Sequence, residues 1–295
     1  MGDTRVHVVD AAGAGEFTSI TDAVRAAVDG DTVQVRMGKY DEVLIVDRNV
    51  TVANDPSAEP EDILVLGGAV VTGSASIAGL SFLQSVDVRA GSPRFSQCRF
   101  TSPGGDGIRI CTGSSAHLDG CKFVGGTSSG DDGCYVQEGA KATVERCDFT
   151  QHRVNAVHCN GGEVHVRGCR ITACAFGVFF RRSGQGSVSN CTIDGISRVG
   201  IYVTQSSDPA VTQNTVMNCT VSGIMVAQGA LGNLKDNTVH GNVRILAGCS
   251  PTLGSNSING RFDNENTSAG ALSPNATFNT TAGSVASDRK QSVLR

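Results

Sequence analysis

Val166-Arg167-Gly168-Cys169-Arg170-Ile171, Val188-Ser189-Asn190-Cys191-Thr192-Ile193, Val211-Thr212-Gln213-Asn214-Thr215-Val216 and Leu234-Lys235-Asp236-Asn237-Thr238-Val239 are one six-residue phrase written four times. Apolar residues stand at its first and last positions, and Cys or Asn at its fourth. Working outward, the fourth position extends to Cys98, Cys121, Cys147, Cys169, Cys191, Asn214, Asn237 and Asn256, at intervals of 23, 26, 22, 22, 23, 23 and 19. Three residues before each anchor stands Phe95, Leu118, Val144, Val166, Val188, Val211, Leu234 or Leu253; two after it stands Phe100, Phe123, Phe149, Ile171, Ile193, Val216, Val239 or Ile258. A period in the low twenties, built of short strands and turns, is one coil of a parallel β-helix. No single coil can bury its own face, but coils stacked about 4.8 Å apart bury a continuous core. The fold class predicted is all-β: a right-handed, single-stranded parallel β-helix with a short N-terminal capping helix.

Composition agrees. The 295 residues include 37 glycines, no tryptophan and 5% aromatics, with 39% hydrophobic residues overall. Many short β-branched strands separated by tight turns have this make-up. The Cys-then-Asn column predicts a corner ladder in which Asn bonds the backbone of a neighbouring coil. Phe100, Phe123 and Phe149 predict an interior aromatic stack that gives way to Ile and Val.

A second strand follows each anchor strand, often led by Gly: Ile108-Arg109-Ile110, Cys134-Tyr135-Val136, Val157-His158-Cys159, Val178-Phe179-Phe180, Ile201-Tyr202-Val203, Ile224-Met225-Val226 and Val243-Arg244-Ile245. Period-two alternation sends the flanking residues inward and the middle one outward. The outward column is then Arg109, Tyr135, His158, Phe179, Tyr202, Met225 and Arg244. The matching column of the anchor strand, Arg99, Lys122, Asp148, Arg170, Thr192, Thr215, Thr238 and Ser257, is polar throughout, as a solvated face should be. An aromatic and Met stripe bracketed by arginine is a candidate binding face. Cross-rung packing, or cover by the C-terminal tail, would explain the same stripe without function.

Two other groups carry possible chemistry. Asp131 and Asp132, in the longest interval, are adjacent carboxylates of the kind that share general acid–base work, against the plainer reading of a solvated Gly/Ser/Asp turn. His152, His158 and His165 lie near Arg153, Arg167, Arg170, Arg181 and Arg182 in sequence, and could receive an anion or a phosphorylated partner; the ordinary reading is polar surface. No metal-ligand spacing and no cofactor motif is present.

At the ends, Thr18 to Val28 has apolar residues at helical spacing, with Ser19 or Thr21 as N-cap. Strands are predicted near Thr32–Arg36, Val43–Val46, Val50–Ala53 and Ile63–Leu66. The domain division is 1–260, β-helix with its cap, and 261–295, a polar low-complexity tail. The 11 cysteines are odd in number and lack zinc spacing, so they read as reduced thiols in a cytoplasmic protein. Secretion is the alternative, in which the sequons at Asn49, Asn190, Asn218, Asn266, Asn275 and Asn279 would matter. A net charge of −4 disfavours a nucleic-acid partner, and no apolar run or leader predicts membrane insertion or export.

The opening resembles the pectin-lyase-like superfamily, in particular the N-terminal part of pectin methylesterases. The matching residues are Val8-Val9-Asp10, Gly15-Glu16-Phe17-Thr18-Ser19-Ile20, Asp22-Ala23-Val24, Asp29-Gly30-Asp31-Thr32-Val33 and Gly38-Lys39-Tyr40-Asp41-Glu42. The later coils resemble the β-helix repeats called CASH repeats, found in scaffold proteins and in sugar-active enzymes alike. The resemblance implies the fold over roughly residues 5 to 260, and leaves function open between lyases, hydrolases, esterases and binding modules. The catalytic motifs of those enzymes do not carry over: there is no Gln-Asp-Thr, no Asp-Phe-Ile-Phe-Gly, no Asn-Thr-Asp, no Gly-His-Gly and no Arg-Ile-Lys. The function expected first is therefore a non-catalytic protein-binding scaffold without turnover of uronate polymers. The alternative is a carbohydrate-binding or carbohydrate-active protein that stacks sugar rings on the same stripe.

Overall fold

The computed structural model describes residues 4–101, 104–126 and 132–266. Over them the chain winds as a right-handed parallel β-solenoid of about 11 turns, with one short α-helix near its start. Three sheets of 12, 11 and 11 strands run its length, and in each the neighbour of a strand is its counterpart one coil away. The first sheet carries the residues before the anchor, the second those after it, and the third the Gly-led strands.

The predicted register holds in every coil from Cys98 onward. Phe100 pairs with Phe123, Phe123 with Phe149, and Phe149 with Ile171. The three Phe rings stack inside at 4.5 Å centroid spacing, within 6° of parallel, and Phe82 adds a fourth ring 5.4 Å from Phe100. The side chain is carried at strand spacing, and that spacing is also the contact distance of aromatic faces.

The corner between the first and second sheets is where the anchor column does its work. Gln97, Arg146, Asn190, Gln213 and Asp236 precede an anchor with φ between 52° and 57°. This left-handed turn costs a non-glycine residue about 1–2 kcal/mol. It is offset because each corner N–H points at the next coil and bonds it, as Arg146 N does to Arg167 O at 3.0 Å. Asn237 then donates through Nδ2 to Val211 O (2.7 Å) and accepts at Oδ1 from Asn214 N (3.1 Å). In the earlier coils a thiol stands in for the amide: Cys169 Sγ donates to Val144 O and Cys191 Sγ to Val166 O, the carbonyl that Asn would reach. All 11 cysteines are unpaired, and Cys98, Cys121, Cys147, Cys169 and Cys191 are buried.

The helix is Ile20–Ala26, inside the predicted span, with Ser19 as N-cap. Glu42, from the following coil, closes its first turn: its carboxylate accepts from Ile20 N (2.8 Å), Thr21 N (3.0 Å) and Ser19 Oγ (3.0 Å). The sequence reading missed Val6–Val9 and Gly38–Tyr40 here, and further along Ala69–Val71, Ser76–Ala78, Ser81–Phe82 and Val86–Val88. Val6–Val9 precedes the helix and pairs with Thr32–Val35, and Gly38–Tyr40 pairs with Ile63–Val65. Pairing with the adjoining coil makes both of them strands. At the other end Phe262–Asn264 pairs with Val243–Ile245, so the last strand runs a little past residue 260. The rest of the predicted tail, 267–295, lies outside the described residues.

Candidate functional site

The third sheet carries the candidate site. The register Arg109, Tyr135, His158, Phe179, Tyr202, Met225 and Arg244 is continuous from coil to coil. From Tyr135 to His158, Phe179 and Tyr202 the ring centroids step 4.9, 5.2 and 5.1 Å. Phe176, three residues before Phe179, lies 5.7 Å from it and 6.0 Å from Tyr202, with the Arg198 guanidinium 5.6 Å over its ring. The stripe is less open than its outward direction suggested. His158 and Met225 are 8% exposed, because rings at strand spacing cover one another's faces. The large apolar side chains most exposed are Val6, Val28, Met37, Val43, Val221 and Leu231, none of them in the stripe.

Beside the stripe runs a second column, three residues earlier in each coil: Asp106, Asp132, Asn155. Each is buried and braces the next. Asp106 Oδ1 accepts from Asp132 N (3.3 Å), and Asp132 Oδ1 accepts from Asn155 N (3.1 Å) and Asn155 Nδ2 (2.7 Å). The outer oxygens turn to the stripe. Asp106 Oδ2 takes a two-pronged contact from Arg109, 3.1 and 2.9 Å. Asp132 Oδ2 accepts from His158 Nδ1 at 2.6 Å. Burial first, and the Asp132 charge second, push the Asp106 carboxyl above its ordinary range, against the pull of Arg109. The far nitrogen of His158, Nε2, is buried and has no hydrogen-bond partner.

Glycine makes room for this column. A Cβ on Gly133 would fall 2.6 Å from Ala156 O, 2.8 Å from Phe149 Cδ1 and 2.9 Å from His152 Nε2. Position 133 therefore admits only hydrogen, and Asp132 is held tight against the neighbouring coil.

The solvated turn expected for Asp132 is thus corrected: the carboxylate is 7% exposed and bonded on both oxygens, since the adjoining coil supplies the donors. Asp131 lies outside the described residues. The His/Arg group of the sequence reading is dispersed over the molecule: His165 and Arg167 are on the first sheet, Arg170 on the second, His158 and Arg181 on the third. His165 is paired with Glu163 and Ser187 instead. Asp106, Asn155 and Phe176 were missed. The signal was there in Asp106-Gly107-Ile108-Arg109 and Asp132-Gly133-Cys134-Tyr135, which repeat one Asp-Gly phrase a coil apart. Among the described residues no group of three or more His, Cys, Asp or Glu stands placed to hold a metal ion.

The chain belongs to the family described as right handed beta helix region, which matches residues 111–266, more than half of its length. The sequence matches no curated protein. Among solved structures it is similar to the A-module of a mannuronan C-5 epimerase from Azotobacter vinelandii, with TM-score 0.53 and 13% identity over 90% of this chain and 96% of that one. It is similar also to the ORF18 protein of Geobacillus virus E2, with TM-score 0.50 and 11% identity, covering 82% of this chain and 57% of that one. A pectin methylesterase from Aspergillus niger gives 16% identity and TM-score 0.40, over 98% and 93%. At these identities the likeness is one of fold.

Proposed function

We propose that the protein is carbohydrate-active. A polysaccharide lies along the outer face of the third sheet, its rings against the outward edges of Phe179 and Tyr202, and the Asp132–His158 pair moves a proton at the bound sugar. The observation that carries this reading is the buried imidazole. His158 donates through Nδ1 to a carboxylate 2.6 Å away, sits between two aromatic rings, and leaves Nε2 without a partner. A carboxylate behind an imidazole sets its tautomer and orientation, so that the opposite nitrogen presents a lone pair or, once protonated, a proton. Packing alone gives no reason to bury that nitrogen unsatisfied.

The low exposure of the stripe also supports a sugar over a protein. A scaffold surface draws its energy from open apolar area, and here the exposed apolar side chains lie elsewhere. The mannuronan epimerase whose fold is similar offers the polymer to try first.

The test is calorimetric titration with neutral and acidic oligosaccharides, combined with proton NMR of the sugars to follow ring inversion, chain cleavage or elimination. Binding should weaken about tenfold or more in Phe179→Ala, as loss of a central aromatic contact implies. Turnover should vanish in His158→Ala, and Arg99→Asp on the polar second sheet should change neither. Folded Phe179→Ala and His158→Ala proteins that bind and react like the parent would overturn the reading. A protein partner captured at the stripe, with no sugar bound, would return the scaffold to first place.

A further inference from the structure

His158 is one corner of a four-residue block on the third sheet. Asn160 follows it by two positions on the strand Asn155–Asn160, so both side chains leave the same face. On the adjoining strand Phe176–Arg181, Phe179 pairs with His158 and Arg181 with Asn160. Three of the four residues hold a buried polar atom with no hydrogen-bond partner: His158 Nε2, Asn160 Oδ1 and Arg181 Nε. Arg181 makes no ion pair among the described residues. Asn160 is not loose, for its Nδ2 donates to the Tyr135 hydroxyl at 2.6 Å, which fixes the amide and leaves Oδ1 as the free end.

One unsatisfied atom costs about 1–3 kcal/mol, and native proteins hold few of them. Three on adjacent positions of a regular sheet mark a place that something else completes. The set is complementary in kind. Arg181 supplies a guanidinium N–H and a positive charge. Asn160 supplies an acceptor. His158 Nε2 is the acceptor that Asp132 prepares by accepting the hydrogen bond from Nδ1–H, which keeps the proton on Nδ1. An oxyanion meets the first, and a hydroxyl on an adjacent carbon meets either of the others.

We propose that His158, Asn160 and Arg181 form a recognition subsite for a carboxylate or sulfate group, together with its neighbouring hydroxyl, on a ring lying against the outward edge of Phe179. That a sugar bears the group rests on the function proposed above; the oxyanion site itself rests on the orphaned atoms. Arg181 is then a specificity-determining residue, separate from the proton-transfer pair.

The experiment has two arms. In the first, neutral, carboxylated and sulfated oligosaccharides of equal length are titrated into the parent protein, Arg181→Gln and Arg181→Lys. The parent should prefer one of the charged series over the neutral one by roughly ten- to a hundredfold, the worth of a charge-assisted hydrogen bond. Arg181→Gln should erase the preference and leave neutral binding unchanged. Arg181→Lys should recover part of it, because an ammonium keeps the charge without the guanidinium fork. In the second arm the Nε–H resonance of Arg181 is followed by NMR as acetate or inorganic sulfate is added; it should shift and saturate in the parent and in Phe179→Ala. Sugars that bind with no charge preference, or a loss in Arg181→Gln equal for neutral and charged series, overturn the subsite and leave the carbohydrate function standing. Anions that shift Arg181 while no sugar binds keep the subsite and remove the sugar. An Arg181 signal indifferent to both anions refutes the oxyanion site.

Discussion

Asp132→Asn exchanges one carboxylate oxygen for an amide nitrogen at the point that orients His158. The inner oxygen can keep its bonds from Asn155 N and Nδ2, so the backbone ladder has no reason to move. The outer atom becomes a donor 2.6 Å from His158 Nδ1, which also donates in the parent. Two donors cannot face each other, and a neutral imidazole answers by moving its proton from Nδ1 to Nε2. The variant loses one charge-assisted hydrogen bond, about 1.5–3 kcal/mol, and regains part of it because the charge that raises Asp106 is gone. A net destabilisation of about 1–2 kcal/mol is expected. Urea unfolding reads that number, and two-bond proton–nitrogen NMR of His158 reads the tautomer with no substrate present. The parent should carry its proton on Nδ1 and the variant on Nε2, and the variant should lack the proposed sugar turnover. The same tautomer in both proteins would refute the assignment of Asp132 as the residue that prepares His158.

In the corner ladder, Asn237→Ala strips the buried Val211 carbonyl and Asn214 N–H of their partner and should cost about 2–5 kcal/mol, whereas Cys191→Ala, which loses one thiol contact, should cost nearer 1 kcal/mol. Equal costs in urea unfolding would mean that the amide ladder is no stronger than the thiol one. At the N-terminus Asp31 is held at about 2, below the ordinary carboxylate value, by hydrogen bonds from Val28 N, Arg5 N and His7. A depressed carboxyl stabilises the fold above its unfolded pKa and loses that contribution as pH falls through the folded one. Hydrogen-exchange protection at residues 5–9 and 28–33, taken relative to the intrinsic exchange rate at each pH, should accordingly fall between about pH 4 and pH 2, and Asp31→Asn should flatten the profile; a pH-independent cap would contradict it. All 11 thiols should titrate with a disulfide reagent after denaturation. In the native protein they should react slowly, since burial pushes Cys174 and Cys219 up to about 11 and Cys159 up to about 12. A native disulfide within the ladder would break this account.

The solenoid was legible in the sequence because its physics is repetitive. Once Cys169, Cys191, Asn214 and Asn237 share a spacing, the apolar columns on either side must stack, and the interior Phe ladder and outward stripe follow from period-two alternation. Short strands without repetition, Val6–Val9 and Gly38–Tyr40, left no such trace. The site was legible only as a column. Tyr135, His158, Phe179 and Tyr202 could be placed on one face, but not the degree to which they cover one another, because exposure depends on ring orientation and not on register.

The partners of these residues were decided by the tertiary structure. Asp132 stands beside Asp131 in the chain, which suggested a solvated acidic pair. Its carboxylate instead meets His158, 26 residues away, and Asn155, 23 away. A β-helix sets side by side residues one coil apart, while the length of each corner decides which side chains come within 3 Å. Sequence alone determines the coil and the direction in which each side chain leaves it. The fold decides which atoms then find a partner and which, like His158 Nε2 and Arg181 Nε, are left without one, because hydrogen-bond satisfaction is a matter of tenths of an ångström between coils and not of spacing along the chain.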